Sequence, residues 1–106
     1  MLFRELLGLL ADFAAQQDYA RQVPIANVPA ELICMWFDDH YHPDSEWFAQ
    51  AFSGEERVAL AEFDRFYKAS LPHLPVDAGI EVLQASETWV EVSEMALRTR
   101  DALAPE

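Results

Sequence analysis

SGEERVALAEFDRFYKASL, residues 53–71, decides the fold class. Ser53 stands three residues before Glu56 and just ahead of an apolar-periodic run, the signature of a capping box at a helix start. Ala59, Leu60, Phe63, Phe66, Tyr67 and Leu71 then recur at intervals of three and four and form one stripe. Arg57, Glu62, Asp64, Arg65 and Lys68 occupy the opposite face, so the spacing predicts an amphipathic helix over 54–71. Asp64 and Lys68 are four apart and within reach of one another on that face.

Working outward, Pro72-His73-Leu74-Pro75 ends this helix. Ile80-Glu81-Val82-Leu83 alternates as a strand would, but a lone strand has nothing to pair with. A helical turn capped by Asp77 is the favoured reading. Ser86 caps a last helix over about 87–103, with Trp89, Val92, Met95, Ala96 and Leu103 inward and Glu87, Glu91, Glu94, Arg98 and Asp101 outward. Upstream, Asp44 or Ser45 caps a short helix carrying Trp47, Phe48, Ala51 and Phe52. His42-Pro43 separates it from a helix over about 29–41. In that helix Leu32, Ile33, Trp36, Phe37 and Tyr41 form the buried face and Cys34 points to the core, while Glu31, Met35, Asp38 and Asp39 fall opposite. Val23–Pro29 is a connector whose Pro29 suits a first helical turn. A first helix spans about 2–21, in which Leu2, Leu6, Leu9, Leu10 and Phe13 share a face with Phe3, Leu7 and Ala14. The expectation is an all-α, compact bundle of four to five helices, one domain over 1–106.

With 106 residues and 13 aromatics, the chain holds enough apolar material for one core. Its charge is far from balanced: 19 acidic residues against 7 basic ones leave a net charge of −12. Such a surface repels nucleic-acid phosphates and anionic membranes, so neither is an expected partner; a basic protein is. One cysteine excludes an internal disulfide, and no run is long enough to span a bilayer. A reducing, cytoplasmic location is the simplest expectation.

The acid is unevenly distributed. Residues 29–52 carry five acidic residues and no basic one, and residues 76–106 carry seven against two. In the first segment Glu31, Met35, Asp38 and Asp39 make an unpaired acidic stripe around an apolar centre, continued by His42, Asp44 and Glu46. Apolar centres ringed by polar groups are the anatomy of interfaces, so these seven residues are the expected partner contacts. The Glu87-Glu91-Glu94 ridge is the second choice, with Glu94 able to pair with Arg98.

Chemistry finds less support. His40 and His42 lie among Asp38, Asp39 and Asp44, but Pro43 unwinds His42 and no second ligand cluster has metal spacing. Adjacent Asp38 and Asp39 diverge by about 100° on a helix, a poor start for paired acid and base. Cys34 and His73 have no orienting motif, and the three glycines make no phosphate loop. No catalytic residue, metal or cofactor is therefore expected.

Trp36-x-Asp38-x-x-Tyr41-x-Pro43, followed by Phe48, Phe52, Glu56, Leu60, Phe63 and Tyr67, resembles small acidic bacterial immunity proteins of polymorphic toxin and contact-dependent inhibition systems. The resemblance covers about a third of the chain. It implies a protein that binds and neutralises one cognate toxin domain, a nuclease being the natural target of an acidic surface. The alternative is a helical adaptor or regulatory subunit for another basic protein.

Overall fold

In the computed structural model, which describes residues 1–105, every regular element is helical. The order is α1 (Phe3–Ala11), α2 (Phe13–Gln22), α3 (Val28–Cys34), a π-helical turn (Met35–His40), α4 (Glu46–Ala51), α5 (Gly54–Ser70), a 3-10 turn (Leu71–His73), α6 (Ile80–Gln84) and α7 (Glu87–Ala102). Helix α7 lies centrally, with α1 and α5 packed along it. The shorter helices close the ends, and the Cα radius of gyration is 13.6 Å, near the ~13 Å of a packed chain this long.

The described residues thus form seven α-helices where the pattern predicts four or five. Two local events account for the difference. Asp12 leaves the helical region (φ −117°, ψ 105°), and its carboxylate accepts a hydrogen bond from the Ala15 amide at 3.1 Å. An aspartate that caps a helix start competes with helix continuation, so 2–21 breaks into α1 and α2. Residues 80–84 form a real helix rather than a strand, entered through Gly79 (φ 90°) instead of a cap by Asp77. That φ favours glycine over any residue with a Cβ. The other boundaries agree with the pattern. Ser45, Ser53 and Ser86 cap α4, α5 and α7, and the Ser53–Glu56 box is closed in both directions. Leu2 stands exposed outside α1, whose buried face is Phe3, Leu6, Leu7 and Leu10.

The break at Asp12 turns Gln16 inward, where it is fully buried. Its amide nitrogen donates at the end of α1 to the carbonyls of Leu9 (2.9 Å), which also accepts the Asp12 amide, and Leu10 (3.0 Å). Its amide oxygen accepts from the Trp89 indole (3.1 Å) and the Gln84 amide (3.1 Å). Gln84 also donates to the Phe13 carbonyl at 2.9 Å. One side chain therefore joins α1, α2, α6 and α7 with every donor and acceptor used. Arg4 ties α1 to the other end of α7, donating to the carbonyls of Arg100 (2.9 Å) and Leu103 (2.8 Å). Glu56 closes the C-terminal tail, accepting from the amides of Ser53 and Ala104, both at 2.8 Å.

Replacing Gln16 with Met keeps the volume but takes this partner from the buried Trp89 indole and the Leu10 carbonyl, while Leu9 keeps the Asp12 amide and Gln84 keeps Phe13. Urea unfolding should show a loss of about 2–4 kcal/mol. Glu56 supplies a pH test. The bonds from the Ser53 and Ala104 amides hold its carboxyl below the usual value of 4.5. A depressed folded value means the stabilisation is present above ~4.5 and is lost as pH falls from there through the folded value. The stability gap between the native chain and Glu56→Gln should therefore be constant from about pH 7 to 5 and close on further acidification.

Candidate interaction surface

The acidic segment is built around a departure from α-helical winding. After Cys34 the chain widens into the π-helical turn, in which the Tyr41 amide donates to the Trp36 carbonyl at 2.9 Å. On an α-helix residues five apart lie about 140° apart. The wider turn instead brings the Tyr41 ring parallel over Trp36, with centroids 5.0 Å apart and planes 11° apart. Trp36 is fully buried, meets Phe63 edge-on at 4.8 Å and donates its indole N–H to Asp64 at 3.0 Å. Asp64, expected on the outer face of α5, is thus buried, and its second oxygen faces Lys68 at 3.5 Å.

This winding redistributes the side chains of 29–46. Asp38, Asp39, His42, Asp44 and Glu46 are exposed, as an interaction surface requires. Met35 is only partly exposed and packs against the core, so it forms a shoulder and not the centre of the patch. Glu31 is half-buried and accepts the Tyr19 hydroxyl proton at 2.8 Å, a bond that pushes the Tyr19 pKa up. Cys34 is exposed, contrary to its expected place in the core. Desolvation pushes its thiol pKa up, and the hydrogen bond and negative charge of Asp38 push it further.

The histidines serve the backbone. His42 Nε2 donates to the Asp38 carbonyl at 2.9 Å, capping the π turn. The His40 ring lies between two carbonyls, Nδ1 at 2.9 Å from Met35 O and Nε2 at 2.9 Å from Met1 O. Carbonyls only accept, so the ring makes both bonds together only when both nitrogens carry protons. Among the described residues, no three His, Cys, Asp or Glu side chains converge as a metal ion would need. None of the helices is long and apolar enough to cross a membrane.

Most of the chain's cations have partners outside this segment, while Arg65 of α5 lies near enough to Tyr41 for its charge to act on that hydroxyl. Arg21 pairs with Asp18, Lys68 with Asp64 and Arg100 with Asp101, and Arg57 donates to the carbonyls of Ala49 and Phe52. Among the described residues, no ion pair involves a carboxylate of 29–52. The Glu87-Glu91-Glu94 ridge is also exposed, and its expected Glu94–Arg98 pair does not form; Arg98 reaches Met95 Sδ at 3.6 Å instead.

An open cleft of about 600 Å³ lies beside the first acidic surface, larger than the one of about 270 Å³ next to Met95 and Arg98 of the second. Met1, Leu2, Phe3 and Trp47 supply its apolar part, and Asp39, His40, His42 and Ser45 its polar edge. Trp47 is 59% exposed, yet its ring stacks on buried Phe3 at 6.2 Å. Periodicity places Trp47 only on a short helix. Its exposure depends on Phe3, forty-four positions away, and no local signal reveals it.

Comparison with known proteins returned no match to a family model, to a curated protein or to a solved structure. The functional reading therefore stands on charge and geometry.

Removing the Asp38 charge should release the thiol it restrains. Asp38→Asn should lower the Cys34 pKa and speed its alkylation by iodoacetamide at pH 8, with the pH–rate profile moved to lower pH. An unchanged profile would mean that desolvation, with the charges of Asp39 and Glu31, sets the thiol without Asp38.

Proposed function

We propose that this chain is an immunity-type binding protein that neutralises a basic toxin domain through the acidic surface of residues 31–46. The observation that carries the reading is the set of exposed carboxylates at Asp38, Asp39, Asp44 and Glu46, left without ion-pair partners on a packed helical frame. Like charges held together repel, and a cationic protein surface relieves that repulsion while steering encounter. The net charge of −12 acts in the same direction over a longer range. A nuclease is a fitting target, because its substrate cleft must itself attract phosphates. Glu31, Met35 and His42 border the surface, the first two as half-buried supports.

Where a gene for a secreted protein with a toxic, basic C-terminal domain lies beside the gene for this chain, its product is the partner to test. Co-expression should restore growth, and binding should weaken steeply with salt. The Asp38→Lys, Asp39→Lys double variant should keep its helical circular dichroism and bind on the order of a hundredfold more weakly, about 3 kcal/mol. Full protection by that variant would overturn the surface.

A further inference from the structure

We infer that the cleft between the N-terminus and residues 39–47 is an anchor pocket for one aromatic side chain of a partner protein, presented between lysine or arginine neighbours. The inference rests on the acidic-surface reading and adds to it the shape of the partner's contact.

The chain exposes few large apolar side chains, and three of them, Met1 (65%), Leu2 (49%) and Trp47 (59%), line this one cleft. Apolar groups gathered in one concavity mark a binding site where scattered ones do not. The floor is rigid. Phe3 is 3% exposed and is held edge-on by Trp36 (5.8 Å), His40 (5.7 Å) and Phe52 (5.2 Å). An incoming ring therefore meets preorganised aromatic faces and edges, the offset and T-shaped geometry that aromatic pairs favour. The His40 Nε2 lies 2.9 Å from the Met1 carbonyl, which seats Met1 at the wall of the cleft.

The charge around the cleft selects the neighbours of that ring. Asp39 and Met1, the latter with its amino group, line the cleft, and Asp38, Asp44 and Glu46 are exposed nearby in sequence, so carboxylates outnumber the one ammonium. An aromatic residue flanked by acids would be repelled, and one flanked by cations attracted. The arrangement is that of an interface hot spot, an apolar anchor inside a ring of charge pairs. The cleft lined by the connector at 20–29, of about 420 Å³, has no exposed aromatic side chain in its lining.

The test is a titration of the ¹⁵N-labelled full chain at low salt with three blocked peptides: acetyl-Lys-Trp-Lys-amide, acetyl-Glu-Trp-Glu-amide and acetyl-Lys-Gly-Lys-amide. The first should shift the Trp47 indole resonance and the Leu2, His40 and Ser45 amides saturably, and bind roughly tenfold more tightly than the other two. Trp47→Ala should abolish that preference. Leu2→Trp, which fills the cleft from its other wall, should do the same with Trp47 in place. If Lys-Gly-Lys shifts the 38–46 amides as strongly as Lys-Trp-Lys and neither variant matters, the anchor pocket is overturned while the acidic surface stands. Equal binding of Glu-Trp-Glu overturns the charge selection and with it the proposal. If no peptide moves these resonances, pocket and acidic surface both fall.

Discussion

Gln16 is the interaction on which the rest of this fold depends. A buried amide with four bonding positions is costly unless all are used, and here two helix-end carbonyls, an indole and a second glutamine use them. That network fixes the angle between α1 and α2, holds the short α6 against them and sets α7 in the centre. Five residues of α6 would not remain helical alone, because so short a helix lies below the cooperative length. Its order derives from Gln84 and from buried Ile80 and Leu83.

The second polar anchor, Trp36 with Asp64, plays the same part for the acidic segment. An aromatic chain runs from Phe3 through Trp36, Phe63 and Tyr67 to Trp89. The π-helical turn lets Trp36 and Tyr41 both lie in it. Such turns recur at functional sites, and here the turn carries Asp38 and Asp39 on its outer side. The order of the acidic surface thus follows from the core beneath it. Desolvation within the core also drives the Tyr67 hydroxyl pKa far up, so that group stays neutral and adds nothing to the surface charge.

Much was legible in the residues. Capping motifs at Ser45, Ser53 and Ser86 mark three helix starts through local hydrogen bonds. The stripe of α5 identifies Leu60, Phe63 and Tyr67 as core. The concentration of acid in 29–52 is a property of composition, and the exposure of Asp38, Asp39, Asp44 and Glu46 agrees with it. The break at Asp12 was readable in principle, since aspartate ahead of three helical residues is a cap. The leucine-rich run across it obscured that signal.

By itself, then, the order of residues determined the helical class, most helix boundaries and the sign and location of the charge, because each follows from interactions within a few positions. Tertiary structure alone decided that Gln16 and Asp64 would be buried, that Cys34 would be exposed and that Trp47 would stand over Phe3 at the mouth of a cleft. The burial of Gln16 and Asp64 and the seat of Trp47 depend on partners from 28 to 73 positions away, and no periodicity encodes which distant donor will meet which acceptor.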